Sequence, residues 1–192
     1  MDPTSWIVRD AVINSRGAKS CAIEYAKHDK GTDGKIHLAI GSREKPTTTP
    51  FGATTFDGQE AAQRTIEFNL SDDEVEQFQG VTTWLTDYLA EHTVRIFKRD
   101  MTAQQIEDSL RSPATQKGSF QPHLRCKIRP ASVRTWDANN KPVALPNDLR
   151  GYKLVARLTI DRLWIMSREC GLVLQVTDLM VLPSEETVCP FA

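Results

Sequence analysis

The chain has 192 residues, 40% of them hydrophobic and 26% charged, and its formal net charge is −1 at pH 7. This length and composition are typical of one folded domain with a sizeable core. They argue against a membrane-spanning helix, because no apolar run approaches the roughly 18 residues that a span requires, and the first ten residues lack the basic and apolar regions of a secretory signal.

The first third of the chain is predicted to form strands. Apolar and polar residues alternate in KSCAIEYAK (19–27), KIHLAI (35–40) and RTIEFNL (64–70), as they do in half-buried strands. Glycines and aspartate in HDKGTDG (28–34) indicate a turn between the first two. Residues 41–59 combine prolines and threonines with little periodicity, which is typical of a loop.

A long helix is predicted from about Ser71 to His92. Ser71 and Glu74 have the spacing of a capping box, and apolar residues then recur at helical intervals. A short second helix is predicted in TAQQIEDSLR (102–111), where Thr102 begins another capping pair.

The last third returns to strands. HLRCKIR (123–129) alternates strictly, SVRTWDANNKPVAL (132–145) contains a strand, a turn and a short return, and residues 151–183 form a long hairpin. One long helix among many strands predicts a mainly β fold. An antiparallel barrel with an inserted helix fits this order better than a succession of βαβ units.

Cysteine and histidine spacing argues against the common zinc motifs. Four cysteines are widely separated without a CxxC pair, and four histidines show no HExxH spacing. Free thiols favour an intracellular, reducing compartment. The sequence also lacks GxxxxGK[ST], GxGxxG and GxSxG. We therefore expect no metal, no cofactor and no enzymatic activity.

Charge is segregated along the chain. The segment from Asp57 to Glu76 contains seven acidic residues and a single arginine. Between Ser109 and Trp136 there is no acid, and the cations are Arg111, Lys117, Arg125, Lys127, Arg129 and Arg134. Such segregation is typical of an electrostatic binding face.

The basic strand at 123–129 is the first candidate site. If its apolar residues face the core, Arg125, Lys127 and Arg129 project together from the other side at intervals of about 7 Å. That interval is comparable with the spacing of phosphates along an extended single strand. The alternative interpretation is a solvated outer face.

Two tryptophans extend the candidate site. Trp136 shares strand parity with Arg134, so it lies on the charged side, where an indole suits base stacking. The alternative is a tryptophan that covers the end of a barrel. Regular alternation puts Trp164 inside the hairpin with Arg162 beside it. Because burying an unpaired arginine is costly, we expect a bulge near Asp161 that brings Trp164 to the rim; core packing and ligand contact both stay open for this indole.

Residues 133–182 resemble the C-terminal half of the single-stranded DNA-binding proteins of short-tailed T-odd coliphages, with related versions in algal and giant DNA viruses. The matching features are a strand that ends at Asp137, a polar turn reaching Lys141, and Gly151 at the start of a long strand. Trp164 then precedes Gly171, which is followed by LVLQVTDLMVL.

The resemblance implies an OB-like barrel with a helix inserted between its middle strands. Residues 1–182 would form one nucleic-acid-binding domain, and residues 183–192 a short tail. The implied activity is sequence-tolerant binding of single-stranded DNA in viral replication and recombination, in the host cytoplasm or nucleus. Trp164 falls on the family's aromatic position, whereas Arg162 stands where the family has tyrosine.

The tail departs from the family pattern. Family members end in a long acidic tail that contacts replication proteins, whereas here only Glu185 and Glu186 precede Phe191. These three residues are the candidate contacts with replication proteins.

The resulting hypothesis is a non-catalytic protein that binds single-stranded DNA. Its candidate ligands are Arg125, Lys127, Arg129, Arg134, Trp136, Lys153, Arg157, Arg162 and Trp164. The alternative is a structural or virion-assembly protein that uses the barrel as a protein-interaction module. In that case the basic face would meet an acidic partner, such as the segment from Asp57 to Glu76 of another copy in a homo-oligomer.

Overall fold

The computed structural model describes residues 3–15, 17–27, 33–54, 62–116 and 118–183. Over these ranges the chain is mainly β, with three α-helices and a 3₁₀ helix at Pro3–Ser5. The strands form one sheet of two strands and one of eleven. None of the described helices combines the length and the apolar character needed to cross a bilayer.

The strands that precede the helices are short. They are β1 Trp6–Val8, β2 Val12–Ile13, β3 Lys19–Cys21, β4 Ile23–Tyr25, β5 His37–Ile40, β6 Ala53–Thr54 and β7 Arg64–Asn69. The predicted strand at 19–27 is divided at Ala22, because β4 pairs with β1 in the small sheet whereas β3 joins the large one. The strands predicted at 35–40 and 64–70 are confirmed as β5 and β7. Residues 28–32 of the predicted turn and 55–59 of the predicted loop lie outside the described residues.

The helices are α1 Asp72–Glu91, α2 Thr93–Phe97 and α3 Ala103–Ser109. Both predicted capping pairs are confirmed. The Glu74 carboxylate accepts hydrogen bonds from the backbone N–H of Ser71 at 2.8 Å and from that of Gly41 at 2.6 Å. The start of α1 is thereby tied to the loop after β5. The one-turn helix α2 was not predicted, since five residues are too few to show a helical period.

The helix α1 is held by its apolar face. Phe78, Val81, Leu85 and Leu89 are buried in the core, and burial of such side chains stabilises the fold by roughly 1.5–3 kcal/mol each. Trp84, on the edge of that face, contacts the buried Trp6 edge-to-face, with ring centroids 5.2 Å apart.

The strands after α2 build most of the large sheet. They are β8 Leu110–Arg111, β9 Ala114–Thr115, β10 His123–Ile128, β11 Arg134–Trp136, β12 Lys153–Ile165 and β13 Cys170–Leu182. The main path through the sheet is β2-β3-β12-β13-β10-β7-β6; β5 pairs with β12, β9 with β10, and both β8 and β11 with β13. The predicted long hairpin is confirmed as β12 and β13.

The predicted closed, antiparallel barrel is not confirmed. The sheet is mixed, because β13 returns from its hairpin in the same direction as β8, β10 and β11 and pairs with all three in parallel. Its path is open among the described strands. Thr47 exchanges backbone hydrogen bonds of 2.8 Å with Leu154 of β12, and Asn69 of β7 donates to Thr48 at 2.9 Å. Pro46 has no backbone N–H and cannot donate a ladder hydrogen bond. The segment around Thr47 and Thr48 accordingly pairs with its neighbours through single residues and not through a continuous ladder.

The β12–β13 ladder contains the predicted bulge. Ile160 pairs with Leu174 and Arg162 with Val173, so Asp161 has no partner across the ladder. The extra residue reverses the alternation that follows it. Leu163 is consequently buried, and Trp164 is half-buried at the surface.

Candidate nucleic-acid interface

One face of the large sheet, called here the outer face, is defined by cross-strand register. Residues directly opposite each other in a ladder project to the same side of a sheet. Arg157 lies opposite Asp178 in the β12–β13 ladder, and beyond the bulge Trp164 lies opposite Gly171. The core residues of both strands project to the other side, so these four residues share the outer face.

The neighbouring strands add to the same face. Lys127 of β10 and Thr159 of β12 both lie opposite Gln175 of β13, one on each side of it. In β11, Arg134 lies opposite Asp178 and Trp136 opposite Met180. The outer face therefore extends from β12 across β13 to β10 and β11, which pair with successive segments of the same edge of β13.

The structure brings most of the predicted residues together on this face. They are Arg125 and Lys127 of β10, Arg134 and Trp136 of β11, and Lys153, Arg157, Arg162 and Trp164 of β12. Arg129 follows the last residue of β10 and is exposed. Both indoles are half-buried, so neither is sealed in the core.

A groove lies at the Trp164 end of the outer face. It has a volume of about 470 Å³ and is lined by Trp164 together with Arg111, Arg125, Lys127 and Glu67, among other residues. The three cations come from two strands, β8 and β10, which pair with the same edge of β13. We call it the Trp164 groove.

Lys127 is the most enclosed cation of the Trp164 groove. Its Nζ donates a hydrogen bond of 2.9 Å to Thr65 Oγ1. Burial lowers the pKa of the Lys127 ammonium, and the neighbouring charge of Arg125 lowers it further. An anion in the groove would relieve the repulsion between these two cations.

The Trp164 indole rests on a glycine. A β-carbon added at Gly171 would lie 2.9 Å from Cζ2 of Trp164 and 3.0 Å from its Cε2 and Nε1. Non-bonded carbon atoms are normally separated by about 3.5–4.0 Å. Glycine is therefore the residue that lets the indole lie against the backbone of β13.

Arg111 was not predicted as a site residue, although it was counted among the cations of the acid-free segment. It lies directly opposite Gly171 in the parallel pairing of β8 with β13, and it forms an ion pair with Glu169 at the tip of the hairpin. Because β8 reaches Gly171 only through tertiary pairing, the charge of Arg111 can be read from the sequence but its position in the groove cannot.

The other end of the outer face centres on Trp136. The Asp178 carboxylate accepts from Arg134, with Nε at 2.7 Å and Nη2 at 2.8 Å, and from Nε1 of Trp136 at 3.3 Å. Burial raises the pKa of Asp178, but hydrogen bonds from Arg134, Thr177 and Trp136 outweigh it and hold the pKa below its usual value. The Asp178 carboxylate thus fixes the positions of Arg134 and Trp136, two residues that are predicted to contact DNA.

A shallow apolar depression adjoins this cluster. It has a volume of about 470 Å³, and its lining includes Trp136, Arg157, Met180 and His37. Burial lowers the pKa of His37, and the charge of Arg157 lowers it further. Neither His37 nor Asp178 was predicted, since nothing in their local sequence signals that they face the indole. Trp136, Arg157, Asp178, Met180 and His37 are together called the Trp136 patch.

Several predicted features fall outside the described residues. These are Lys117, the acids Asp57 and Glu60, and the tail residues Glu185, Glu186 and Phe191. Within the described ranges, no three histidine, cysteine, aspartate or glutamate side chains are grouped so that they could hold a metal ion.

Neither a family model nor a curated protein matches the sequence. Several solved structures are similar in fold, and two of them are described here. One is gp2.5, a single-stranded DNA-binding protein encoded by bacteriophage T7, with a TM-score of 0.55 and 12% identity over 79% of this chain and 88% of that one. The other is the single-stranded DNA-binding protein from bacteriophage Enc34 in complex with single-stranded DNA, with a TM-score of 0.50 and 6% identity over 82% and 95% of the two chains.

These likenesses extend over most of each chain and establish a shared fold. At the level of the fold, they support the predicted resemblance to phage single-stranded DNA-binding proteins. No comparison supports the part that concerns algal and giant DNA viruses.

Proposed function

We propose that the protein binds single-stranded DNA with little sequence preference and acts, without catalysis, in viral DNA replication and recombination. The observation that carries this proposal is the outer face. Seven candidate cations and two half-buried indoles lie on or next to one face of a sheet, in a fold shared with two phage proteins that bind single-stranded DNA.

Two physical terms supply the affinity. Cations of the outer face neutralise phosphates and release condensed counterions, which makes binding depend steeply on salt. Each indole stacks with a base, which is worth about 1–3 kcal/mol and favours no base strongly, because every base has a π-face. A surface that combines these two terms is suited to coating a single strand of any sequence.

The same proposal extends to the rest of the chain. Residues 1–182 form one OB-like binding domain, and the tail contacts replication proteins through Glu185, Glu186 and Phe191. The protein acts in a reducing compartment, the host cytoplasm or nucleus.

Fluorescence titration with oligo-dT, at two salt concentrations, tests the proposal. We expect quenching of tryptophan emission, an affinity that falls with salt, and weaker binding to duplex than to single-stranded DNA. The double change Trp136→Ala and Trp164→Ala should weaken binding by about a thousandfold if each indole contributes about 2 kcal/mol, the middle of the stacking range.

Phe51→Ala is the matched control. Phe51 is an aromatic residue with 64% of its surface exposed, and it precedes the edge strand β6 rather than lying on the outer face. Absence of quenching and of salt dependence in the unmodified protein would contradict the proposed function. If the Phe51 variant lost as much affinity as the double variant, the loss could not be attributed to the two indoles.

A further inference from the structure

The two indoles mark the ends of one line along β13. Gly171 lies under Trp164, and Met180 lies opposite Trp136. These two residues of β13 are nine positions apart, but Thr177 between them has no partner in the β12–β13 ladder. The path therefore counts about eight regular strand positions, or roughly 26 Å at about 3.3 Å per residue. The Trp164 groove and the Trp136 patch are therefore separate sites at the two ends of a single strand.

Cations flank this line between its ends. Arg162 lies opposite Val173, which is the second residue after Gly171. Lys127 then lies opposite Gln175, on the β10 side of β13. Arg157 follows opposite Asp178, on the β12 side. Positive side chains thus recur on both sides of β13 along its length.

The acid on this line is already paired. Asp178 lies next to the Trp136 end, where Arg134 contacts both of its carboxylate oxygens. Glu67 also faces outwards, but it belongs to β7, beyond β10, and lies opposite Arg125. A polyanion that follows β13 therefore meets an acid that is already paired with Arg134 and a series of cations, whereas Glu67 borders the path only at the Trp164 groove.

We propose that a single DNA strand lies along β13, with one base stacked on Trp164 and another on Trp136, and that this path holds five or six nucleotides. The proposal rests on the proposed function and defines its geometry. An unstacked strand advances about 6 Å per nucleotide, roughly twice the 3.4 Å rise of duplex DNA, so a path of roughly 26 Å spans about four to five intervals. Site sizes of about 4–16 nucleotides are usual for one binding domain of this kind.

The geometry predicts that the two indoles contact opposite ends of a short oligonucleotide. Hexamers of dT with 2-aminopurine at the first or at the last position report on each end separately. We expect Trp164→Phe to change the fluorescence of the probe at one end, and Trp136→Phe to change it at the other end. Phenylalanine retains an apolar ring at each position, so both variants should keep the fold. Phe51→Ala should change neither signal.

Oligonucleotide length gives a second measurement. Affinity for dT should rise by about tenfold between four and six nucleotides, when the second indole comes within reach. In the Trp136→Ala variant this gain should disappear, whereas the affinity for dT of three nucleotides, bound in the Trp164 groove, should change less than twofold.

Other outcomes would overturn the path. The DNA could instead cross the sheet at right angles to β13. Cross-strand pairing through Gly171 forms a row of residues in that direction, namely Arg111, Trp164, Ser20 and Val12. DNA on this row would contact Trp164 but not Trp136. Trp136→Phe would then alter neither probe. Changes at the same end in both variants, or no gain between four and six nucleotides, would also refute the inference while long oligo-dT still binds. Loss of all binding to oligo-dT of 30 nucleotides would instead refute the proposed function.

Discussion

Trp164 and Gly171 face each other across the two longest strands, and the indole fills the space that a side chain at position 171 would occupy. The contact joins a hydrogen-bonded ladder to a candidate base-stacking surface. The orientation of the indole is thus set by the backbone of β13 and does not depend on a flexible loop.

Gly171→Ala should displace the indole and weaken binding of single-stranded DNA. The new methyl group would lie within 3.0 Å of three indole atoms, and the side chain of Trp164 can move more readily than the backbone. We expect about a fivefold loss of affinity, equivalent to about 1 kcal/mol of stacking, with little change in the thermal midpoint. Fluorescence titration and thermal denaturation measure the two effects.

Gly80→Ala is the control for that substitution. A β-carbon at Gly80 in α1 meets no atom within 4 Å, so the change should raise the free energy of unfolding by about 0.5–1 kcal/mol and leave affinity unaltered. Unchanged affinity in the Gly171 variant would show that the position of the indole does not matter for binding.

Arg125→Ala combined with Lys127→Ala should reduce the salt dependence of binding. Each phosphate contact on a single strand contributes about −0.7 to the slope of log K against log salt, so removing two contacts should make the slope shallower by about 1.4. Titrations at four salt concentrations determine the slope. Arg99→Ala is the matched control, because Arg99 is exposed between α2 and α3. An identical slope in the two variants would show that Arg125 and Lys127 do not contact phosphates.

Binding should weaken at alkaline pH because of Lys127. Burial and the charge of Arg125 lower the pKa of this ammonium, and phosphate favours its charged form. The contribution is therefore complete below the lowered pKa and is lost as the pH rises through it. Lys127→Arg keeps the charge throughout the alkaline range, so the variant should lose less affinity as the pH rises towards about 10.4, the usual pKa of lysine. Parallel curves for the two proteins would exclude Lys127 as the titrating group.

Asp178→Asn should lower stability at neutral pH but not in acid. The lowered pKa of Asp178 means that its ion pair stabilises the fold above about pH 3.9, the usual pKa of aspartate, and that this contribution is lost as the pH falls through the lowered value. Because the Arg134 side chain is 63% exposed, we expect a difference of about 1 kcal/mol at pH 7. Asparagine retains an oxygen that can accept from Trp136.

Urea denaturation at pH 7 and at pH 3 provides the test of Asp178. The difference in the free energy of unfolding between the two proteins should be smaller at pH 3, because the stabilisation by the carboxylate declines once the pH falls below about 3.9, the usual pKa of aspartate. A difference that stays constant over this range would mean that the ion pair with Arg134 does not account for it.

Local patterns in the sequence were sufficient to predict the elements with strong periodicity. The alternation in β10 and β12, the hairpin, and the capping residues of α1 and α3 all depend on neighbours within a few positions. The bulge at Asp161 was predictable for a different reason, since regular alternation would have buried Arg162 without a partner.

Features that depend on distant parts of the chain were not predictable. The parallel pairing of β8 with β13, which brings Arg111 to Gly171, joins residues 60 positions apart. The carboxylate of Asp178 meets Trp136 across 42 positions. The predicted barrel is not confirmed, because the path of the sheet depends on distant contacts such as that of Thr47 with Leu154.

The unpaired residue Asp161 decides which side of β12 each later residue faces. If Asp161 were paired in a regular ladder, the two sides of the strand would be exchanged from Arg162 onwards. The guanidinium would then point into the interior and Leu163 into solvent. Deleting Asp161 would instead place Arg162 directly after Ile160 and keep every later cross-strand pair, so Leu163 would stay in the core and Trp164 on the outer face.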